Sequence, residues 1–209
     1  MTKIYLIRHG QTVFNEQGVI SGQIETDLTE LGRRQALEGA LQLKKEGVHF
    51  DVILCSPLKR AKETAEIIAS VLKAPIVFDA DLKEFNNGVY EGIKVDELRQ
   101  MVFDPPYKTA GFEFENGEDL YKAYSSFDGK YDAFSYPEGE TKEKARERFM
   151  GAIKRYLDAH ANIQNLVVVA HGAVIRFMLL KICPETLTEK IKNVEARIVC
   201  YEKGKGFFA

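Results

Sequence analysis

The stretch KIYLIRHG, residues 3–10, decides how this chain folds. Residues 4–7 are a continuous apolar run, which is typical of a strand buried on both faces of a parallel sheet. The stretch LVVVAHG, residues 166–172, repeats the pattern near the other end, although the 209 residues include only four histidines. Ligands of open α/β sheets bind at the carboxyl ends of the strands. We therefore expect His9 and His171 to converge on one site.

Strands and helices are predicted to alternate around these two stretches. The predicted strands are 3–8, 51–55, 76–78, 166–170 and 194–201, the last of which forms a hairpin through 203–206. The predicted helices are 29–46, 141–160 and 172–182, with a further amphipathic helix from Leu58 to Leu72. This order predicts an α/β fold of three layers, α/β/α, with a mostly parallel central sheet.

The region of about 100–137 interrupts this alternation. It holds ten of the chain's 22 aromatic residues, between Phe103 and Tyr136, and shows no clear strand. A stretch of this length is seldom an idle loop, so we expect a single domain, 1–209, with an inserted, partly helical cap over the strand ends. A hydrophobic cluster that only packs is an equally weighted alternative.

Composition and charge narrow the class of protein. The net charge of −2 gives no reason to expect nucleic acid or an anionic membrane as the partner. No apolar run approaches the roughly 18 residues of a membrane span, and no charged leader precedes the first strand. The cysteines Cys55, Cys183 and Cys200 show no CxxC spacing and are interpreted as reduced thiols. We expect a cytoplasmic protein with no membrane partner, while a homodimer stays possible.

The residues around His9 suit phosphoryl chemistry. Gly10 permits close approach of a ligand to the backbone, and Arg8 supplies a planar fork for phosphate oxygens. Nearby positive charge disfavours protonation of an imidazole, so His9 keeps a lone pair and becomes a plausible nucleophile toward phosphorus.

His171 and Arg60 are expected at the same edge of the sheet. His171 stands where a strand ends and a helix begins, and the helix N-terminus favours an anion there. Arg60 is off the apolar stripe of its helix, so it need not be a core residue and by itself suits a solvated surface. With Arg8 and His171, however, it could neutralise a dianionic phosphoryl group.

Several blocks of this sequence resemble the histidine phosphatase superfamily, also called phosphoglycerate-mutase-like. The matching blocks are Arg8 to Thr12, Ser56 to Ala65, and His171-Gly172, supported by Leu28 to Gly32 and Pro137 to Glu140. They occur in the family's order and cover nearly the whole chain, whereas the inserted segment is the part least matched. The resemblance favours the phosphatase branch.

The resemblance implies a role for each matching residue. His9 is similar to the residue that becomes phosphorylated, and Arg8, Arg60 and His171 are similar to the rest of its phosphate pocket. Glu84 matches the carboxylic acid that protonates the leaving oxygen, with Glu91 as a nearby competitor. The substrate-binding set is completed by Asn15, Gln11, Ser21, Gly22 and Gly172.

These roles give a phosphatase that hydrolyses a small phosphomonoester, such as a sugar phosphate, without metal or cofactor. His9 attacks phosphorus, and Glu84 protonates the departing oxygen and later activates water. One alternative is a bisphosphate-primed mutase. It is disfavoured because Phe85-Asn86-Asn87, directly after Glu84, contain no arginine and because acidic residues outnumber basic ones in 103–136. A second is a phosphate-binding module without catalysis. Cys55 is interpreted as a small buried hydrophobe rather than a nucleophile.

Overall fold

The computed structural model describes residues 1–126, 130–184 and 191–209. One sheet is formed by β1 (Thr2–Arg8), β2 (Val52–Cys55), β3 (Ile76–Phe78), β6 (Asn165–Ala170), β7 (Ala196–Glu202) and β8 (Gly206–Phe208). A second, two-stranded sheet is formed by β4 (Val102–Thr109) and β5 (Phe112–Asn116). The helices are α1 (Val13–Gln17), α2 (Glu30–Lys45), α3 (Lys59–Leu72), α4 (Val95–Arg99), α5 (Gly117–Ser125), α6 (Lys142–Ala159) and α7 (Gly172–Ile182).

The larger sheet has the strand order β3-β2-β6-β1-β7-β8. Strands β3, β2, β6 and β1 run parallel, and the hairpin of β7 and β8 adds two antiparallel strands beside β1. This confirms the prediction of a mostly parallel central sheet. It also makes β1 and β6 neighbours although they lie about 160 residues apart in sequence.

The register between strands places the two histidines side by side. Arg8 pairs with Ala170, and the amide of His9 donates to the Ala170 carbonyl at 3.0 Å. On the other side of β6, the amide of Ser56 donates to the Val169 carbonyl at 3.0 Å. The residues that follow β1, β6 and β2 therefore leave the sheet at one edge.

Alternate residues of the strands separate two hydrophobic layers. Ile4 and Leu6 of β1 lie in a cluster with residues of α6 and α7, whereas Tyr5 and Ile7 lie in a cluster with residues of α2 and α3. Both faces of the sheet are thus covered by helices, which confirms the three-layer arrangement and explains the unbroken apolar run at 4–7.

The helix boundaries follow their capping residues. The Thr29 side chain accepts from the amide of Gly32 at the start of α2, and the Thr141 side chain accepts from the amide of Lys144 at the start of α6. Cys55 is fully buried, as predicted for a small hydrophobe, and burial raises the pKa of its thiol. Within the described ranges, no helix has both the length and the apolar character needed to cross a bilayer.

The inserted segment contains strands that the sequence analysis did not predict. Strand β5 carries a phenylalanine–glutamate alternation at 112–115, a period of two that indicates a strand. Strand β4 contains Pro105 and Pro106, which hide its strand character in the sequence. Phe114 and Leu120 join the cluster that includes α6 and α7, so the segment shares the core of the sheet. Phe127 lies outside the described residues.

Candidate active site

A cavity of about 200 Å³ opens at the carboxyl ends of β1 and β6. Its polar wall includes Arg8, His9, Arg60 and Glu84, which come from three separate stretches of the sequence. The cavity therefore lies where ligands of open α/β sheets bind.

His9 presents an unprotonated ring nitrogen to this cavity. Its Nδ1 lies 2.7 Å from the carbonyl oxygen of Gly10, so Nδ1 carries the proton and donates it to that carbonyl. The Nε atom of Arg60 donates to Nε2 of His9 at 3.2 Å, which requires a lone pair on Nε2. Burial, with the positive charges of Arg60 and Arg8, holds the pKa of His9 well below its usual value. Nε2 is thus the ring nitrogen of His9 that keeps its lone pair.

The His171 ring contacts the His9 ring edge to face, with the two ring centroids 5.2 Å apart. Its Nε2 is 2.7 Å from the hydroxyl of Ser56, and its buried Nδ1 has no partner among the residues that the structure describes. Burial, Arg60 and His9 hold the pKa of His171 well below its usual value. When the Ser56 hydroxyl donates to Nε2, Nδ1 carries the proton. His171 itself is fully buried and does not lie among the residues that line the cavity.

Two arginines complete the polar end of the cavity. Arg60 is fully buried, unlike the solvated arginine that its place off the apolar stripe suggested. It donates to His9 and to the carbonyls of Gly22 and Ile24 at 2.6 and 2.9 Å, which explains why a charged side chain is stable there. Arg8 donates to the Ile191 carbonyl at 2.9 Å, and burial lowers the pKa of both guanidinium groups.

Glycine at position 172 allows Arg8 to pass the start of α7. A Cβ atom at Gly172 would lie 3.3 Å from Nε of Arg8, a tighter contact than most side chains accept. That Nε atom is buried and has no partner among the described residues. It supplies a further positively charged donor beside the helix N-terminus.

The geometry separates the two candidate carboxylates. Glu84 lines the cavity, and its carboxylate accepts from the amides of Phe85, Ala173 and Val174 at 2.8, 3.1 and 3.2 Å. Two of these amides belong to the first turn of α7.

Glu91 does not lie among the residues that line the cavity. Its carboxylate instead accepts from the amides of Gln23, Ile24 and Asn87 at 2.9, 3.1 and 3.0 Å. It therefore holds the loop that carries Gly22, whose carbonyl binds Arg60.

Most of the expected substrate-binding residues reach the cavity, whereas Gln11 does not. Asn15, Ser21, Gly22 and Gly172 line it. The expectation for Gln11 is not met, because its side chain is directed away from the cavity. Its Oε1 accepts from the Thr29 hydroxyl at 2.8 Å, and its backbone amide donates to Oε1 of Gln35 at 2.9 Å. Gln11 thus ties the loop after β1 to helix α2.

Three further residues support the site but were not predicted. Ser56 binds His171, Thr64 accepts from the amide of Gly10 at 3.1 Å, and Asn193 donates to the carbonyl of His9 at 2.8 Å. Ser56 and Thr64 stand within the block 56–65 that carries Arg60, so that block was the available signal. Asn193 follows no pattern in its local sequence.

The outer wall of the cavity combines aromatic and aliphatic side chains with one arginine. Its members include Val19, Ile20, Val95, Tyr121, Tyr124 and Arg176. The guanidinium of Arg176 lies 5.8 Å from the Tyr124 ring, and burial raises the pKa of Tyr124 to about 12. Tyr121 and Tyr124 belong to α5, so the inserted segment forms part of the cavity wall.

Candidate metal ligands do not cluster in the described ranges. Among these residues, no group of three or more His, Cys, Asp and Glu side chains is placed to hold a metal ion. His49 and His160, the two histidines away from the cavity, are both exposed.

Comparisons with known proteins show which proteins this chain is similar to. The family model of the histidine phosphatase superfamily (branch 1) matches residues 4–125 and 108–208. The chain is 34% identical to the metal-independent phosphoserine phosphatase of Arabidopsis thaliana, over 95% of this chain and 76% of that protein. It is 33% identical to the uncharacterized phosphatase PhoE of Bacillus subtilis, over 92% of this chain and 85% of that protein.

A solved structure of similar fold belongs to a protein named for a different activity. It is a phosphoglycerate mutase from Bacillus anthracis, with a TM-score of 0.80 and 25% sequence identity. The superposition covers 99% of this chain and 90% of that one.

Proposed function

This chain belongs to the histidine phosphatase superfamily, and on that premise we propose that it hydrolyses a small phosphomonoester through a phosphohistidine at His9. The observation that carries the proposal is the tautomer of His9. Its Nδ1–H is held by the Gly10 carbonyl, and its Nε2 keeps a lone pair, which accepts from Nε of Arg60. A neutral imidazole beside fixed positive charge is a nucleophile matched to a phosphoryl dianion.

The first step transfers the phosphoryl group to the protein. Nε2 of His9 attacks phosphorus in line with the ester oxygen, the N–P bond forms and the P–O bond breaks. Glu84 in its protonated form gives its proton to the departing alkoxide. Arg8, Arg60 and His171 stabilise charge on the equatorial oxygens.

The second step releases phosphate. Water attacks phosphorus, the carboxylate of Glu84 accepts its proton, and the N–P bond breaks to restore neutral His9. The proposal assigns this role to Glu84 rather than Glu91, because Glu84 lines the cavity and Glu91 does not lie among the lining residues.

The size and lining of the cavity favour a small substrate. A volume of about 200 Å³ is below the roughly 300–1,000 Å³ of sites for drug-sized ligands. The side chains beyond the phosphate end are largely apolar or aromatic, which suits the organic part of a metabolite such as a sugar phosphate. We propose that the chain forms one domain with residues 100–137 as an inserted cap over this site.

A phosphoglycerate mutase is the second candidate, because the phosphoglycerate mutase from Bacillus anthracis has a similar fold. A mutase must hold a second phosphate, which calls for further cations around the cavity. Of the described residues that line it, Arg176 is the one cation beyond Arg8 and Arg60, and it packs on Tyr124. Residues 85–87, which follow Glu84, are Phe-Asn-Asn and carry no charge. These observations favour hydrolysis.

The test compares His9→Ala with the wild type in the presence of EDTA. We expect the wild type to release phosphate from small phosphomonoesters and to carry acid-labile phosphate after brief exposure to substrate. The His9→Ala variant should lose both properties. His49→Ala is the matched control, since the side chain of His49 is 85% exposed and distant from the proposed chemistry, and it should behave as the wild type.

Two results would contradict the proposal. Hydrolysis that survives in His9→Ala would exclude the phosphohistidine. Transfer of phosphate between positions of 3-phosphoglycerate, dependent on a bisphosphate and without release of phosphate, would identify a mutase instead.

A further inference from the structure

The block Pro137 to Glu140 and the helix that follows it contain an ion pair that the proposed reaction does not use. Arg148 of α6 binds Glu140, and their side chains are 19% and 16% exposed. The Nε atom of Arg148 donates to Oε2 of Glu140 at 2.9 Å, and Nη2 binds Oε1. This bidentate geometry fixes the plane of the guanidinium.

The remaining donors of Arg148 are directed at the backbone around Glu84. Nη1 donates to the carbonyls of Asp81 and Lys83 at 2.8 and 2.7 Å, and Nη2 donates to the carbonyl of Glu84 at 2.8 Å. An arginine has five N–H donors, and all of them are engaged here. Three carbonyls within four residues cannot all turn toward one cation unless the backbone adopts a single conformation, so the guanidinium fixes the path of residues 81–84.

Glu140 binds the backbone on the other side of Glu84, at Asn86. Its Oε1 accepts from the amide of Asn86 at 2.8 Å, and its own amide donates to the carbonyl of Asn86 at 3.2 Å. Gly139 lies against this segment so closely that a Cβ would be 2.6 Å from the Asn86 carbonyl. Residues on both sides of Glu84 are therefore held by one ion pair.

We propose that Arg148, with Glu140, is the positioning residue for the proton donor of this enzyme. It fixes the backbone of Glu84 so that the carboxylate reaches the cavity and the amides of Ala173 and Val174. Neither residue of the pair lies among those that line the cavity. The inference rests on the role proposed for Glu84 and adds how that role is maintained.

The experiment measures how activity depends on the leaving group. Departure of an alkoxide requires a proton, whereas departure of 4-nitrophenolate does not. In Arg148→Gln we expect kcat/KM for an alkyl phosphate to fall on the order of 100-fold, which is the lower end of the roughly 10²- to 10⁴-fold that a general acid contributes to the rate. The value for 4-nitrophenyl phosphate should fall by less than about 5-fold.

Arg155→Gln provides a matched control on the same helix. Arg155 lies two turns beyond Arg148, is 58% exposed, and binds the side chains of Asp79 and Asp81 rather than the backbone around Glu84. We expect this variant to keep both activities. Glu140→Gln, which preserves the side-chain volume and the acceptor for Asn86, should show the selective loss in smaller degree, and it decides the matter if Arg148→Gln does not fold.

Equal losses on the two substrates in Arg148→Gln and Glu140→Gln would overturn the proposal, because they would indicate general damage to the fold. A selective loss in Arg155→Gln would overturn it as well. A wild-type protein that hydrolyses neither ester would contradict the proposed function itself, and the positioning role with it.

Discussion

At the scale of single residues, the site is decided by the partners of a few polar atoms. His9 and Gly10 fix a tautomer, Ser56 holds His171, and Glu84 faces the cavity. Residues of the same type have different tasks, because Glu84 and Glu91 lie seven positions apart and bind different backbone segments. Chemistry is thus assigned by the acceptor and donor groups that surround each side chain.

Glu84→Gln and Glu91→Gln should therefore have different kinetic effects. For an alkyl phosphate we expect kcat of Glu84→Gln to fall by about 10²- to 10⁴-fold, because a general acid and base is removed. Glu91→Gln should chiefly raise KM, because the loop at 21–24 loses charge-assisted hydrogen bonds. Steady-state kinetics of the two variants checks this, and a larger loss of kcat in Glu91→Gln would reverse the assignment.

At the scale of elements, the loop after β1 crosses the start of α2 at very short range. A Cβ at Gly10 would lie 2.3 Å from the carbonyl oxygen of Gly32, and a Cβ at Gly32 would lie 2.1 Å from that of Gln11. Backbone atoms of the two elements are therefore in contact, and the Gln11 and Thr29 side chains reinforce the contact. This crossing fixes where the chain goes immediately after His9.

Gly10→Ala should destabilise the protein by about 2 kcal/mol, because backbone atoms rather than a flexible side chain must move. Gly151→Ala is the matched control in α6, where a Cβ would meet only Arg155 Nη1 at 3.5 Å. That variant should gain roughly 0.5–1 kcal/mol, since alanine is favoured in a helix interior. Urea unfolding measures both free energies of unfolding. Equal changes in the two variants would show that the backbone contact at Gly10 leaves room for a methyl group.

At the scale of the whole molecule, the sheet and its covering elements bury two histidines in neutral form. His9 is 4% exposed and His171 is fully buried, and both have pKa values held well below 6.5. The unfolded chain, whose histidines titrate normally, binds more protons than the folded protein below that value. The fold therefore loses stability as it is acidified.

We expect the free energy of unfolding to decrease as pH falls below about 6.5, with a slope that approaches about 1.4 kcal/mol per pH unit for each buried histidine. Above that pH both histidines are neutral in either state and contribute no slope. In His171→Asn the slope between pH 6 and 5 should be smaller by one such contribution. Urea unfolding at several pH values tests this. His49→Asn, which removes an exposed histidine, should keep the wild-type slope, and an unchanged slope in His171→Asn would sink the prediction.

In the inserted segment, local sequence patterns predicted the cap but missed its strands. Its aromatic residues indicated a cap, and Tyr121 and Tyr124 do line the cavity. Strands β4 and β5 were missed, because two prolines obscure one strand and the other is only five residues long. Pairing with a neighbouring strand, not the local pattern, stabilises such short strands.

The sequence by itself determined the alternation of strands and helices, the mostly parallel sheet, and the meeting of His9 with His171. These follow from local causes: apolar runs that must be buried on both faces, capping threonines, and the rule that parallel strands end at one edge. Arg8 and Arg60 joined the candidate site through their charge and their position at this edge, and the family resemblance added Glu84.

Only the tertiary structure decided the rest. It buried Arg60 completely, turned Gln11 toward Thr29, separated Glu84 from Glu91, and directed three donors of Arg148 at the carbonyls of residues 81–84. Each of these outcomes depends on hydrogen bonds between residues far apart in the chain. A buried polar group must find such a partner to offset its desolvation, and the fold, not the neighbouring sequence, supplies it.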